Sequence, residues 1–409
     1  MTNLPQGWEV KKLGEIGEIV TGSTPSKSNL DFYGKDYPFF KPSDFEQGYF
    51  LENAGDNLSK LGFDKARQLP PKTILVVCIG SLGKVALTRV IGSCNQQINA
   101  IIPHKNIIAE YIYYYCISSK FQSILFSKAP QTTLAILNKT EFSKLEIIYP
   151  KDIKEQERIV GILDESFAKI DESIKILEQD LLNLDELMQS ALQKAFNPLK
   201  DNAKENYKLP QGWEWKSLGE IGNTSSGGTP LRNKKEYWEN GSIKWLKSGE
   251  LNDGYIDFIE ENITEEAIEN SSAKIFQKGT LLIAMYGATA GRLGILNLDS
   301  ATNQAVCAFL HKDNKNIKFL EKFLFYFLFF IRDKIIKDSF GGAQPNISQT
   351  YIKNLQIPLP PIKEQEQIAK HLDFVFEKTK ALKELYTKEL KDYEELKQSL
   401  LNKAFKGEL

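Results

Sequence analysis

Functional groups are plentiful in this sequence, yet their spacing assembles no catalytic centre. The three histidines, His104, His311 and His371, make no HExxH pair and have no cysteine or serine partner in the sequence. Gly80-Ser81-Leu82-Gly83-Lys84 is too short for the phosphate loop GxxxxGK[ST], and no Ser or Thr follows the lysine. Cys78, Cys94, Cys116 and Cys307 are scattered without CxxC spacing, three of them in apolar surroundings, which predicts reduced core residues and no zinc site. An Asp/Asn-Pro-Pro-aromatic tetrapeptide, a glycine-rich cofactor loop after an early strand and a strand-borne nuclease Asp with Glu-x-Lys are all missing. The expectation is a binding protein that holds no metal or cofactor and borrows the chemistry of other proteins.

What the sequence does contain is itself, twice. LPQGWEVKKLGEIG at residue 4 returns as LPQGWEWKSLGEIG at residue 209, and IKEQERIV at Ile153 returns as IKEQEQIA at Ile362. The offset changes only from 205 to 209 between these markers, so a whole structural unit is duplicated. A chain of 409 residues is too long for one core and suits two domains with connecting helices. The expected segments are a globular block at 1–152, a long helix at 153–196, a second block at 197–361 and a second helix at 362–409. Such a tandem repeat builds approximate two-fold symmetry, which the backbone of duplex DNA shares.

Composition excludes several classes. Apolar residues at 42% and aromatics at 11% belong to a folded protein. MTNLPQGWEVKK has no apolar core of a signal peptide, and the longest apolar run, nine residues from Phe323 to Ile331, is too short for a bilayer that needs about 20. A cytoplasmic protein with no membrane partner is the expectation. The 52 basic and 53 acidic residues nearly cancel, but unevenly: 1–152 holds 17 and 14, 153–196 holds 5 and 10, 197–361 holds 20 and 19, and 362–409 holds 10 and 10. Blocks this weakly basic neutralise few phosphates alone, so partners are expected to supply further contacts.

The long helices are written in heptads. Val160, Phe167, Ile174, Leu181, Met188 and Ala195 form one seam position, and Leu163, Ile170, Leu177, Leu184 and Ala191 the other. The second copy is looser: Ile368, Val375, Leu382 and Leu396 alternate with Leu372, Thr379, Tyr386, Tyr393 and Leu400, while Phe376, Leu385 and Leu390 widen the stripe. Antiparallel pairing as a coiled coil needs no long return connection, and 44 residues make a rod of roughly 66 Å. The globular blocks read as mixed α/β. TILVVCI at Thr73 and TLLIAMY at Thr280 are short apolar strands, each followed by a glycine turn, NQQINA at Asn95 matches NQAVCA at Asn303, and an aromatic helix follows at 111–124 and 319–336. A proline exit, Tyr149-Pro150 and Leu359-Pro360-Pro361, closes each block.

This order of motifs resembles the DNA specificity subunits of type I restriction-modification systems, the HsdS family. The resemblance covers essentially the whole chain: the LP-x-GW-E entry at both starts, the turns at Thr21 to Pro25 and Gly227 to Pro230, Lys41-Pro42-Ser43-Asp44 beside Lys247-Ser248-Gly249-Glu250, and IPLPPIKEQEQI from Ile357. It implies two α/β target recognition domains in tandem, each reading one half of a bipartite, asymmetric site in double-stranded DNA. The helices would set the spacer and dock two modification (methyltransferase) subunits through Val160, Leu163, Phe167, Ile170, Ile368, Leu372 and Phe376. S-adenosylmethionine would sit in those partners, with ATP and Mg in two restriction (motor-nuclease) subunits that can join them. A specificity subunit of a type II system with fused nuclease and methylase fits the same resemblance. The competing classes are a self-contained methylase or nuclease and a non-catalytic coiled-coil adaptor.

Because Arg or Lys reaches guanine and Asn or Gln reaches adenine in the major groove, basic and amide residues on loops are the candidate readers. In the first block these are Lys41, Ser43, Lys84, Lys128, Gln131 and Thr132; in the second, Arg232, Lys234, Lys235, Lys247, Arg292 and Gln344. Trp8 and Trp213 recur in both copies and read as packing anchors, Tyr33 and Trp238 as alternative stacking platforms, and Thr24 and Thr229 as shapers of their turns.

Overall fold

The computed structural model of the chain describes residues 4–129, 135–196, 209–339 and 346–409. Two compact units divide it, Met1–Glu178 with Tyr386–Leu409, and Gln179–Leu385. The cuts fall inside the long helices Ile153–Phe196 and Ile362–Ala404. Each unit therefore takes one globular block, the start of the helix that follows it and the end of the helix from the other copy.

In the first unit the strands are β1 (Trp8–Lys12), β2 (Gly17–Thr21), β3 (Tyr33–Phe40), β4 (Phe50–Leu51), β5 (Asp56–Leu58), β6 (Ile74–Val77), β7 (Val85–Thr88), β8 (Ser93–Cys94), β9 (Ile98–Pro103) and β10 (Glu146–Pro150). They form a five-stranded sheet in the order β2-β9-β6-β7-β4, a three-stranded sheet β5-β3-β8 and the pair β1-β10. The second unit has β11 (Glu214–Ser217), β12 (Gly222–Ser226), β13 (Ile243–Leu246), β14 (Gly254–Ile256), β15 (Asn262–Ile263), β16 (Ile275–Phe276), β17 (Leu281–Ala284), β18 (Leu293–Leu296), β19 (Ser300–Thr302), β20 (Val306–His311) and β21 (Gln356–Leu359). Its sheets repeat the plan, with orders β12-β20-β17-β18-β14, β15-β13-β19-β16 and β11-β21.

The apolar runs at Thr73 and Thr280 become the central strands β6 and β17, and their alternation explains why every residue is apolar. Ile74 and Val76 enter one core while Leu75 and Val77 enter the other; Leu281 and Ile283 part from Leu282 and Ala284 in the same way. A strand covered on both faces has no polar side. The four cysteines are buried and free, and burial pushes the Cys78, Cys94 and Cys307 thiols up to about 12. Each expected aromatic helix is broken in two. Ala109–Ile117 and Ser119–Lys128 meet at Ser118, which caps the second piece, and Glu321–Phe330 and Arg332–Lys337 meet at Ile331. Among the described residues, no helix is long and apolar enough to cross a membrane.

The recurring motifs hold the frame. The entry strand pairs antiparallel with the exit strand, Trp8 opposite Pro150 and Glu214 opposite Leu359. The Glu of LGEI closes the one-turn helix after it, Glu15 accepting from the Lys12 N–H at 2.8 Å and Glu220 from the Ser217 N–H at 2.7 Å. The Gln of IKEQ is fully buried in both copies. Gln156 accepts from the Ile108 N–H and donates to the Pro150 carbonyl, both at 2.9 Å; Gln365 repeats this with Leu320 and Pro360, again at 2.9 Å. One amide thus ties the exit strand, the aromatic helix and the long helix together.

Each unit's core is closed by the far end of a long helix. Phe405 meets Tyr111 and Tyr115 edge-on with ring centroids 5.5 and 5.0 Å away, and in the second unit Phe196 lies 5.3 and 5.6 Å from Phe323 and Phe327. Within the first unit the two helix segments run in opposite directions, since Arg158 donates to the Leu409 carbonyl at 2.9 Å and Asp171 pairs with Lys397 at 2.6 Å. The second unit has the matching pair Asp185 and Lys383. Leu163, Ile170, Leu177, Leu184 and Ala191 are buried as the heptads require, but Leu382 and Leu396, expected in the seam, are exposed at 37% and 45%. The lysines that follow them, Lys383 and Lys397, turn inward instead to reach aspartates of the first helix. A strict 3.5-residue reading drifts out of phase with a 3.6-residue helix over this length.

Replacing Gln156 with Leu leaves the Ile108 N–H and the Pro150 carbonyl buried without partners and is expected to cost about 3 kcal/mol of unfolding free energy. Urea denaturation measures it, with the exposed Gln179→Leu as a near-neutral reference; equal midpoints for the two variants would contradict the bracket.

Candidate nucleic-acid interface

One edge of each five-stranded sheet gathers the loops in which the two copies differ. In the first unit β2 ends where β9 begins (Thr21 opposite Asn99), and β6 ends beside the starts of β9 and β7 (Val77 opposite Ile98, Val76 opposite Val85). β3 ends there too, because the Asn95 N–H donates to the Phe40 carbonyl at 3.1 Å. Residues 22–25, 41–47, 79–84 and 95–97 therefore issue from one edge. In the second unit Ser226 lies opposite Cys307, Ala284 opposite Val306 and Ile283 opposite Leu293, and the Asn303 N–H donates to the Leu246 carbonyl at 2.9 Å. Residues 227–232, 247–250, 285–292 and 303–305 form the equivalent edge.

The turns at this edge are fixed by backbone crowding. A Cβ on Gly22 would stand 2.1 Å from the Asn95 carbonyl oxygen, and one on Gly227 equally close to that of Thr302, so only glycine lets the turn lie against its neighbour. Thr24 and Thr229 do more than shape it: their hydroxyls donate to the side-chain carbonyls of Gln96 and Gln304. The sequence reading passed over these two glutamines, although the recurring NQQINA and NQAVCA segments contain them. Trp8 packs against the first unit's main core, Trp238 sits edge-on to Trp245 at 5.0 Å and the Tyr33 hydroxyl donates to the Pro25 carbonyl at 2.8 Å, so all three are engaged within the fold.

The edge brings together Lys41, Ser43 and Lys84 in the first unit and Arg232, Lys247 and Arg292 in the second. Most of its cations already hold a carboxylate. Lys41 pairs with Asp56, and Lys84 with Glu46, whose carboxyl that lysine's hydrogen bond holds below the usual carboxylate range. Glu261 takes Arg232 at 2.7 Å and Lys247 at 2.8 Å. Burial opposes the Glu261 charge, but the hydrogen bonds from Lys247 and Arg232 outweigh it and keep the carboxyl low. The Arg232 guanidinium also lies 3.8 Å from the Trp238 ring centroid. Ser43 and Arg292 are exposed. Lys128, also exposed, ends the helix that backs loop 79–84, while Lys234 donates to the Tyr237 hydroxyl at 3.1 Å and Lys235 lies 3.8 Å from Glu239. Gln131, Thr132 and Gln344 lie outside the described residues.

Sequence gave no warning of the clamp behind the second edge. Arg332 donates from Nη1 to Asp253 at 3.0 Å and from Nη2 to the other carboxylate oxygen, which also accepts the Leu293 N–H at 2.9 Å. This holds the base of the 285–292 hairpin beside Arg292. In the first unit Gln122 serves the same purpose, donating to the Gly83 carbonyl at 2.9 Å. The partners lie 79 positions apart, and no local pattern announces them.

Among the described residues, no cluster of three His, Cys, Asp or Glu is arranged to hold a metal ion. The family model described as the type I restriction modification DNA specificity domain matches residues 5–181 and again 210–392. The chain belongs to this specificity family. The specificity subunit of the type I restriction enzyme HindI from Haemophilus influenzae is 38% identical over 186 residues, 44% of this chain and 40% of that one. The MjaIX specificity subunit from Methanocaldococcus jannaschii is 25% identical over 370 residues, 88% and 84% of the two chains. Two solved structures share the fold. A chain from a study of complex assembly and conformational transition in the type I system has a TM-score of 0.80 over all of both chains, and the HsdS subunit from Thermoanaerobacter tengcongensis 0.61 over 99% and 98%, each at 21% identity.

In this specificity-family chain the seven apolar residues first assigned to partner docking are largely spent inside the units. Val160, Leu163 and Ile170 are buried, as is Leu372, and Phe167, Ile368 and Phe376 pack partly buried against the cores. Apolar positions left open on these helices include Ile176 and Leu396 in the first unit and Leu385 and Leu187 in the second, 45–55% exposed and related pairwise by the repeat offset of 209, together with Leu182 and Phe374 at 58% and 61%.

Breaking the Arg332 clamp is expected to matter where removing an exposed cation does not. Arg332→Ala should lower the stability of the second unit by about 2 kcal/mol by stranding Asp253, whereas Arg292→Ala should change it by less than about 0.5 kcal/mol. Chemical denaturation followed by tryptophan fluorescence reports both, and equal losses would contradict the assignment.

Proposed function

We propose that this chain is the address-reading subunit of a type I restriction-modification complex and performs no catalysis itself. Each unit reads one half of a bipartite, non-palindromic duplex site with the side chains of its loop edge in the major groove. The long helices set the spacer between the halves. Two modification subunits bring S-adenosylmethionine and the methyl transfer, with the target base flipped into their sites, and restriction subunits bring ATP and Mg. The complex works in the cytoplasm.

The observation that carries this reading is the contrast between frame and edge. Entry strand, capping glutamate, buried glutamine and helix-end phenylalanine repeat residue for residue. The edges repeat only in part: Lys41 on Asp56 returns as Lys247 on Glu261 and Thr24 on Gln96 as Thr229 on Gln304, while Lys84 holds Glu46 in the first and Arg232 joins Glu261 in the second. A common frame suits two copies of one partner, and unlike edges suit two unlike sequences. Cations held by carboxylates exchange partners on meeting phosphate or a base edge. That restrains non-specific binding and leaves discrimination to geometry.

The chain purified with its modification partner should protect one bipartite sequence in a randomised duplex library. Lys84→Ala should relax the first half-site alone and Arg292→Ala the second alone, each by about tenfold in discrimination. Protection that ignores sequence would refute the reading.

Partner docking has its own test. The pair Ile176→Glu with Leu396→Glu, or Leu187→Glu with Leu385→Glu, removes exposed apolar surface and should each cost one of two bound modification subunits, read as mass by analytical ultracentrifugation. Retention of both partners would place docking elsewhere.

A further inference from the structure

The loop edges of the two units differ, yet one corner of each edge is built alike. The Phe40 carbonyl of β3 accepts from the Asn95 N–H and the Leu246 carbonyl of β13 from the Asn303 N–H, so Lys41 and Gln96, like Lys247 and Gln304, are the next residues along two adjoining loops. The lysine is pinned in the same way in both. Its backbone N–H donates to the carboxylate three residues on, Lys41 to Asp44 at 2.7 Å and Lys247 to Glu250 at 2.8 Å. Its ammonium rests on Asp56, opposite Phe39, or on Glu261, whose carbonyl takes the Trp245 N–H. The glutamine is pinned alike too, by the Thr24 hydroxyl on the Gln96 side-chain oxygen and the Thr229 hydroxyl on that of Gln304.

The free end of the amide separates these glutamines from those of the frame. Gln156 and Gln365 spend both ends on backbone groups and are fully buried. Gln96 and Gln304 are exposed. With its oxygen taken by threonine, what such an amide has left to offer solvent is its N–H donors. In the second unit the Gln304 amide also reaches the Tyr286 hydroxyl, opposing the rise that burial gives that group's pKa, and its second N–H remains. Each corner therefore offers a fixed N–H donor and a lysine ammonium on adjoining loops, and both groups suit an anionic oxygen.

We propose that Lys41 with Gln96, and Lys247 with Gln304, hold the phosphate backbone of the duplex and read no letter, an assignment that rests on the function proposed above. Two unlike half-sites share a phosphodiester chain whatever their sequences, so the part of the edge common to both units matches the part of the DNA common to both halves. Such contacts fix register and orientation. The letters fall to the groups in which the edges differ, Lys84 on Glu46 in the first and Arg232 and Arg292 in the second. Lys41 and Lys247, put forward as readers from their residue type, take a positioning role instead.

The test uses the full chain bound to its modification subunits, the duplex it selects from the randomised library and the same duplex with one half-site replaced, with affinity read by fluorescence anisotropy. Gln96→Ala and Gln304→Ala should each weaken binding to both duplexes by the same factor, about tenfold, and leave the ratio of the two affinities unchanged. A smaller ratio would make the glutamine a base reader and overturn the proposal, as would wild-type affinity for both duplexes. Gln96→Glu separates contact from bracing, because its carboxylate still accepts from Thr24 but meets phosphate with a like charge. It should keep the wild-type urea midpoint and bind more weakly than Gln96→Ala; binding at the alanine variant's level or better overturns the outward N–H. Gln304→Glu repeats the measurement if Gln96→Glu loses stability. Lys41→Gln and Lys247→Gln should each lower the slope of log affinity against log salt by about 1, and unchanged slopes overturn the lysines as phosphate contacts. A wild-type complex that binds duplex without sequence preference refutes the functional reading, and the loss in Gln96→Glu on a random duplex then decides the phosphate contact by itself.

Discussion

Neither copy of the repeat can close its own core, and the rest of the structure depends on that constraint. Phe405 fills the gap between Tyr111 and Tyr115, and Phe196 the gap beside Phe323 and Phe327, so each unit is completed by the end of a helix that began in the other copy. Burying a phenylalanine is worth about 2 kcal/mol, and Leu401, Ala404, Ala191 and Leu192 add to the same plugs. The long helices are therefore locked at their far ends by packing and along their length by the ion pairs of Lys397 and Lys383. A frame fixed in this way lets loops vary without moving the frame.

The energetics of the edges are of a different kind. Exposed lysine–carboxylate pairs such as Lys84–Glu46 contribute little to stability. Their effect is on charge: they hold cations in place while cancelling much of the field that would draw the chain to any duplex. The near-neutral total charge, at first an objection to a DNA reader, fits a surface that spends its cations on geometry. The backing residues are where stability is invested, Gln122 behind one hairpin and the Arg332–Asp253 pair behind the other.

Frame and function were legible in the sequence because duplication supplies an internal comparison. Glu15, Gln156 and Pro150 could be marked as structural from their recurrence at Glu220, Gln365 and Pro360 before any contact was known. The break of the aromatic helices at Ser118 and Ile331 was hidden because apolar periodicity continues through it, and a capping serine inside an apolar run carries no distinct signal. The seam of the second long helix was misread at Leu382 and Leu396, where a half-residue of phase decides which side chain faces inward and lysine stems can lie across apolar surface. The loop edges were legible only in part. Residue type and loop position put Lys41, Lys84, Lys247 and Arg292 forward, and the fold sets them on the loop edges; the groups that brace those edges, Glu261 on Lys247, Asp253 on Arg332 and Gln96 on Thr24, come from distant segments that only the fold brings near.

The claim that frame sets geometry while edges set the letters is tested most directly by removing seven residues from each long helix and sequencing the methylated sites of a host that expresses this chain with its modification partner. The account predicts the same two half-site sequences separated by a shorter spacer. Altered half-sites with an unchanged spacer would contradict it.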